Sequence, residues 1–342
     1  MNIAIHNRIG SFSDKWIEYC KTYGIKYKLV NCYNSDIIQQ LGDCDGLMWH
    51  WSQSDSKAIL FARQLTYSLE QKRIKVFPDS KTCWHFDDKV GQKYLLEAVC
   101  APLVPSYVFY DKSEAIKWAK HTKYPKVFKL RGGAGSVNVK LIKTKRHANK
   151  LIKKAFEKGF RVTDRSNSLK DRFLRFQRDR DLTALVHVLK GFIRLIFPKY
   201  DEVMRVRDKG YIYFQDFIPN NEHDIRVVII GERAFAIKRM IRKNDFRASG
   251  SGNIIYNKDS IPIECVESAF FCAEKLGTQS VAFDFVFDMG KSRLVEISYA
   301  FSRKGYLPCP GYWDKELNWH KGAFTPEYFM IEDFIYKLQS NP

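Results

Sequence analysis

Short apolar runs alternate with helical stripes over the first 80 residues. Asn2–His6, Tyr27–Cys32, Gly46–Trp51 and Ile74–Phe77 read as strands; Asp14–Tyr23, Ser35–Leu41 and Ser56–Gln71 read as helices. In the first helix Trp16, Ile17, Tyr19 and Cys20 form the apolar stripe, with Gly24 as its stop, and Pro78 ends the fourth strand. This β-α-β-α order predicts a parallel, Rossmann-like sheet. No Gly-x-Gly-x-x-Gly follows the first strand, so no dinucleotide site is inferred. Ligands gather at the carboxyl ends of such strands, where His6, His50 and Trp51 fall, although a lone histidine is more commonly packed or exposed.

The pattern then changes. Asp87-Asp88 caps a helix over Lys89–Val99; Ser106–Tyr110 is a strand; Ser113–His121 is a helix capped by Ser113. Residues 125–142 (PKVFKLRGGAGSVNVKLI) read strand, glycine turn, strand. Gly132, Gly133, Gly135 and Ser136 would let backbone N–H groups approach a phosphate, and Lys129 and Arg131 add positive charge at the strand end. No Gly-Lys-Ser/Thr opens a helix there, so it is not a P-loop, and an ordinary hairpin turn can look similar. Residues 146–207 are basic and mostly helical in pattern. Within them Phe173 and Phe176 interleave with Arg172, Arg175, Arg178 and Arg180, which suits either a polyanion or the charged face of an amphipathic helix.

Tyr211–Ile218, Asp224–Ile230 and Ala234–Met240 are strands, followed by a polar, glycine-rich loop at 244–253 that holds Arg247 and a helix at Glu264–Leu276. The tail after Tyr306 reads as an aromatic loop, and Pro326 opens a last helix. Between them Val281–Ser298 reads as a hairpin around Asp288-Met289-Gly290. Pairing Phe287 with Arg293 sets Asp284 opposite Glu296 on one face with Ser298, and Phe283, Phe285, Phe287, Val295 and Ile297 on the core face. Opposed carboxylates repel unless a cation lies between them, and Mg²⁺ takes hard oxygens, typically one or two carboxylates plus substrate phosphates. The alternative is a solvated face on which both acids meet water.

Composition narrows the class. At 342 residues with 45% hydrophobic content, the chain is long enough for two or three packed domains. No apolar run reaches membrane-span length, and eight scattered cysteines without a close pair, together with a strand-like N-terminus, lead to the expectation of a cytoplasmic protein with reduced thiols. A net charge of +19 is compatible with solubility, a nucleic acid, an anionic membrane surface or an anionic substrate, and basic residues are densest between Lys140 and Arg207.

Taken together, the motifs resemble the ATP-grasp superfamily of carboxylate–amine ligases over roughly residues 85–300, nearest the branch of the ribosomal-protein glutamate ligase and glutathione synthetase. The resemblance rests on DIRVVIIGERAFAIKR, then NDFR and SGSG, then the Asp284–Glu296 pair. It implies an α/β (α+β) architecture: a Rossmann-like domain at 1–85, a small lid subdomain at 86–213 with a basic insertion at 146–207, and a large subdomain at 214–342, with ATP between the last two. It further implies that Lys89 and Lys129 hold phosphates, and that Gly132, Gly133, Gly135 and Ser136 form the loop over them. Gln215, Asp216, Phe217 and Ile218 would be the hinge beside adenine, and Asp224 would meet the ribose. Arg239 and Arg247 would stabilise the transferred phosphoryl group, while Asp284, Glu296 and Ser298 would ligate Mg²⁺. Ser298 stands where the family usually has asparagine.

The implied reaction is attack of a substrate carboxylate on the γ-phosphate of ATP, then displacement of phosphate by an amine. The implied partners are therefore small-molecule carboxylate and amine substrates, without nucleic acid or a membrane span; members of the family are often dimers or tetramers. The phrases WHFDDK and EISYAF resemble ligases of bacterial surface-polysaccharide synthesis, which would join an amino acid or amine to a sugar acid. Arg303 and Lys304 are expected beside the acceptor pocket by position and charge. Alternative readings are an ATP-grasp phosphotransferase and a non-catalytic polyanion-binding protein.

Overall fold

The computed structural model describes the chain except residues 134–137, 162–168, 170, 171, 174, 175, 177–179, 181, 197–206, 242–245, 248–250, 341 and 342. Gly135, Ser136 and most of the 165–181 run therefore lie outside the described residues.

The N-terminal strands β1 (Ile3–His6), β2 (Tyr27–Val30), β3 (Gly46–Met48) and β4 (Lys75–Phe77) form a parallel sheet in the order β2-β1-β3-β4, as the alternation predicts. Helices α1 (Ser13–Thr22), α2 (Ile37–Gln40), α3 (Ser56–Gln71) and α4 (Ser80–Cys83) connect and follow them. The third strand is shorter than expected because its partner β4 runs out: Met48 pairs with Phe77, Trp49 N–H donates to Phe77 O, and Pro78 follows. Trp49 and Trp51 are buried beyond the strand end.

Helix α5 (Lys89–Ala98) leads into the lid. There β5 (Ser106–Phe109), β6 (Lys126–Lys129), β7 (Lys140–Ile142) and β8 (Ile212–Asp216) form an antiparallel sheet in the order β5-β8-β6-β7. Helices α6 (Lys112–His121) and α7 (Lys145–Glu157) cover it, burying Ala115, Ala119, Leu151, Ile152 and Ala155 with Phe128 and Phe214. The cap of α6 is Asp111, not Ser113: its carboxylate accepts the Glu114 N–H at 2.9 Å, three positions on, which is the usual geometry of a helix cap. Helix α7 belongs to the lid core, and the chain departs only after Phe160. Phe160 and Asp208 exchange two backbone hydrogen bonds (2.8 and 2.9 Å), closing a narrow neck. At that neck Gly159 has φ +66°, and a Cβ there would lie 2.8 Å from Asp208 O. Beyond the neck the chain forms α8 (Leu182–Ile196) before returning to β8.

The large sheet runs β13-β12-β9-β10-β14-β15, with the two-residue β11 (Ile254–Ile255) on β10. Its strands are β9 (His223–Ile230), β10 (Arg233–Met240), β12 (Ser280–Asp288), β13 (Lys291–Ser298), β14 (Gly311–Asp314) and β15 (Trp319–Lys321); α9 (Ile263–Leu276) packs on one face and α10 (Pro326–Ser340) on the other. The aromatic tail is thus a hairpin rather than a loop. Trp313 stacks edge-on against Trp319 at 4.5 Å, and a Cβ at Gly311 would lie 2.3 Å from His320 O, so only glycine fits that crossing.

The central hairpin keeps Asp284 opposite Glu296 but reaches that register differently. Met289 and Gly290 (φ 48° and 80°) make a two-residue turn, so Phe287 pairs with Ser292 and not Arg293. A bulge between Asp284 and Phe285 absorbs the one-residue difference. Its consequence is chemical: Leu294 takes the core position, and Val295, expected in the core, faces the cleft beside Glu296.

Candidate active site

A cleft of about 860 Å³ opens where the N-terminal domain, lid and large sheet meet. The lid contributes Val127, Lys129 and Val139; the chain from β8 to β9 contributes Gln215, Asp216, Phe217 and Ile218; the large sheet contributes Asp224, Arg226, Arg239, Asp284 and Glu296. Its size lies within the range of small-ligand sites. Val127, Val139, Ile218, Ile241, Val286 and Val295 supply flat apolar surface, and Phe217 meets Phe246 edge-on at 5.9 Å.

The charged floor follows from strand register. Arg239 is paired with Asp224 across β10 and β9, and Arg226 with Asp284 across β9 and β12, while Asp284 faces Glu296 across β12 and β13. One face of four strands thus carries alternating charges. Arg239 forks onto Asp224 (2.7 and 2.6 Å) and reaches Asp284 Oδ1 at 3.0 Å; Arg226 Nε lies 3.3 Å from the same oxygen. Burial would raise the Asp284 carboxyl pKa, but Arg226, Arg239 and Lys129 hold it below the usual value, so the group is ionised at neutral pH. Its Oδ1 accepts no well-formed hydrogen bond despite these neighbours, and neither does Arg226 Nε donate one.

Two buried lysines stand beside these carboxylates: Lys129 lines the cleft, whereas Lys89 does not line it but contacts Glu296. Lys89 Nζ pairs with Glu296 Oε1 at 3.1 Å and donates to Gly133 O at 2.8 Å. Burial opposes its charge, but Glu296, Asp87 and Asp88 more than compensate and raise its pKa. Lys129 is equally buried, donating to Val295 O at 3.2 Å, and desolvation lowers its pKa to about 8, with Lys89 adding to the shift while Glu296 and Asp284 oppose it. An anion bound beside Lys129 would restore its proton. Above pH 8 binding a polyphosphate therefore requires proton uptake, and affinity falls with pH. Titration calorimetry across pH 7 to 9.5 is expected to show nucleotide affinity dropping by up to about tenfold per unit above 8. Lys129→Met would flatten that dependence.

The glycine turn is anchored by the acidic cap in front of α5. Asp88 accepts the Gly91 N–H as helix cap and pairs with the Arg131 fork (2.8 and 2.6 Å), while Asp87, at φ +54°, accepts the Gly133 N–H at 2.7 Å. A Cβ at Gly132 would lie 3.0 Å from Asp87 Oδ2, so any larger residue there must push the Asp87 carboxylate back. The Gly133 N–H, expected to face a phosphate, is engaged by Asp87 in this structure.

Other expected residues divide. Gln215 is buried and donates to Ser106 Oγ at 3.0 Å, so it ties the end of β8 to β5; Asp216 is held by Lys126. Arg247 lines the cleft. Ser298 also lines it, its hydroxyl donating to Ala300 O at 2.8 Å, which leaves its lone pairs uncommitted to that bond. Arg303 is engaged elsewhere: it pairs with Glu327 at 2.6 Å and Asp14 at 3.3 Å, joining α10 to α1, and Lys304 is exposed away from the cleft lining. The cleft receives Arg8 and Arg226 instead. Arg226 was legible as the third residue of DIR, one strand period from Asp224 and hence on the same face. Of the strand-end histidines, His50 lines the cleft, stacked on Phe12 at 3.7 Å, with its pKa driven down to about 3 by burial and by Arg8 and Arg303. His6 accepts the Cys32 N–H at 3.0 Å and is structural.

Among the described residues no three His, Cys, Asp or Glu side chains converge as a metal cluster. A cation at the Asp284–Glu296 pair would draw two protein carboxylates and complete its shell from ligand or water oxygens, a set that Mg²⁺ accepts and Zn²⁺ rarely takes.

No protein-family model matches the chain, and no curated protein does. Solved structures do. A RimK-domain ATP-grasp protein from Sphaerobacter thermophilus aligns over 98% of this chain and all of its own, at 15% identity and a TM-score of 0.56. D-alanine–D-alanine ligase from Bacillus anthracis, complexed with ATP, aligns over 100% of this chain and 99% of its own at 12% identity and TM-score 0.57. The biotin carboxylase domain of Hydrogenobacter thermophilus 2-oxoglutarate carboxylase, in complex with MgADP, aligns over 96% of this chain and 68% of its own at 13% identity and TM-score 0.59. With its N-terminal parallel sheet, its four-stranded lid and a charged cleft between lid and large sheet, the chain has the ATP-grasp fold.

Proposed function

We propose that the protein is an ATP- and Mg²⁺-dependent ligase that joins a carboxylate to an amine through an acyl phosphate. The observation carrying this reading is the Asp284–Glu296 pair, set between Arg239, Arg226, Lys89 and Lys129 at the floor of an open cleft. Four cations and two carboxylates converging there match what phosphoryl transfer needs: charge neutralisation and in-line positioning rather than a protein nucleophile.

The residues present fit Mg²⁺. Asp284 Oδ1 is buried, ionised and without a hydrogen bond, Glu296 stands opposite it, and Ser298 lies two residues beyond Glu296. Bound there, Mg²⁺ would neutralise phosphate charge and orient the transferring group. The protein's own groups do the rest. Lys129 and Lys89 attract the polyphosphate, Arg239 and Arg247 face the charge that develops on the γ-phosphoryl group, and the apolar slot at Phe217, Ile218 and Val295 receives the base. Glu222, exposed at the cleft, meets the ribose hydroxyls, because both oxygens of Asp224 are held by Arg239. Arg8 of the N-terminal domain and Arg226 of the large sheet line the same cleft and would meet the carboxylate of an acid substrate.

The substrates we assign are a sugar acid and an amino acid or other amine, as in surface-polysaccharide synthesis; the support is the resemblance of WHFDDK and EISYAF and the cationic cleft wall. Hydroxylamine separates this reaction from simple phosphotransfer. With ATP and the acid alone, an acyl phosphate is intercepted as a hydroxamate. A phosphotransferase acting on a hydroxyl leaves a stable phosphate ester and no hydroxamate, and that outcome would overturn the ligase assignment.

A further inference from the structure

Helix α8 carries an apolar stripe that nothing covers among the described residues. Leu182, Leu185, Val186, Leu189, Phe192 and Ile193 are all exposed, at 81, 37, 44, 54, 54 and 58%. At 100° per residue these six positions fall within an arc of about 120°. The other sides of the helix are accounted for where its side chains are described. Val188 and Gly191 face inward, where a Cβ on Gly191 would lie 2.8 Å from Leu169, and Arg172 donates to His187 O at 2.9 Å. Thr183, His187 and Lys190 are exposed on the polar flank. The stripe thus lies between the protein side and a polar side, the arrangement of a helix that rests on a surface.

Charge says which surface. Among the described residues between Phe160 and Asp208, Arg161, Arg180, Lys190 and Arg207 are exposed, and so are Lys150, Lys153 and Lys154 of α7 and Lys158 at its end. A second copy of so basic a surface would repel, since like charges brought face to face disfavour association. A nucleic acid would meet the charges but would leave the six apolar side chains in water. An anionic bilayer satisfies both, with acyl chains receiving the stripe and lipid headgroups the lysines and arginines. The helix has 15 residues, about 22 Å, too short to cross a hydrocarbon core of roughly 30 Å, so it would lie in the interface. No described residue of α8 lines the cleft, so docking need not disturb it.

We propose that α8 is a membrane-docking helix whose apolar stripe seats in the headgroup region of an anionic lipid bilayer. The inference concerns a surface remote from the cleft and does not depend on the reaction assigned there.

The test is co-sedimentation of the full chain with vesicles of phosphatidylcholine alone and with roughly one-third phosphatidylglycerol. The expected result is binding to the anionic vesicles at least about tenfold tighter than to the neutral ones, weakening as salt rises. Leu189→Glu with Ile193→Glu is expected to reduce it at least about tenfold, because it places charge in the buried stripe. Both positions are exposed, so the fold should tolerate the change, and an unchanged melting temperature verifies that. No binding to anionic vesicles overturns the proposal, as does binding that the double variant leaves intact. A concentration-dependent dimer in sedimentation velocity, abolished by the double variant while vesicles are ignored, would assign the stripe to a second copy. Salt-sensitive binding to DNA, unaffected by the double variant and unaccompanied by vesicle binding, would assign the surface to nucleic acid.

Discussion

Asp284→Asn is expected to lower ATP turnover by about a thousandfold while the fold survives. Asparagine keeps the shape of the side chain but removes a charge from the point where Arg226, Arg239 and Lys129 converge. It also removes one of the two carboxylates that face each other across β12 and β13. The loss should fall on turnover more than on nucleotide binding, because the neighbouring guanidinium and ammonium groups remain and still attract a polyphosphate. Steady-state kinetics with a fluorescence measurement of nucleotide binding separates the two. A turnover number within tenfold of the unsubstituted protein would remove Asp284 from the chemistry.

Arg239→Ala should act on stability as well. Arg239 is buried, forks onto Asp224 and reaches Asp284, so its loss strands the buried Asp224 carboxylate and leaves Asp284 to Arg226 and Lys129. Breaking a buried ion pair from one side typically costs about 3–5 kcal/mol. The sign of its pH dependence follows from the acid left behind. Burial already raises the Asp224 carboxyl pKa, with Arg239 opposing the shift, and removing Arg239 would raise it further. A carboxyl whose folded pKa exceeds its unfolded value favours the fold when protonated and loses that contribution as pH rises through the folded pKa. The deficit of the variant should therefore shrink as pH falls from 7 toward 4. Denaturant midpoints measured across that range check this; a deficit that grew on acidification would mean that the Asp224 carboxylate is not stranded.

The strand pattern made much of this legible. The first four strands, the lid strands and the opposed Asp284–Glu296 pair all follow from alternation and turn residues. The hairpin shows where such reading stops. Its turn is one residue tighter than the apolar pattern suggests, since Met289 adopts a left-handed conformation that nothing in its side chain announces. The bulge then restores the register at Asp284, so the apolar pattern sets the two carboxylates opposite each other but puts Val295 on the core face, whereas it faces the cleft. Arg303 was placed beside the substrate from charge and chain position alone. Its real partners, Asp14 and Glu327, lie in α1 and α10, and only tertiary packing brings them together. Arg8 is the converse, a residue of the first loop delivered to a cleft built some 200 residues later.

The tail hairpin was hidden for a different reason. Gly311–Asp314 and Trp319–Lys321 are short strands rich in aromatic and charged residues, without clean alternation. Their pairing depends on β10 supplying an edge, with Ala234 opposite Trp313. The exposed stripe of α8 is written at helical spacing in the sequence, but spacing alone does not say whether a stripe is covered.

The most direct measurement is release of ADP and phosphate with Mg²⁺ against a panel of sugar acids and amino acids, with the Asp284→Asn protein in parallel. For at least one acid–amine pair, release is expected to require both partners, with an amide product formed in equal amount, and the variant is expected to show neither. Release that needs no acid, or a phosphorylated product that accumulates without regard to the amine, would contradict the ligase assignment.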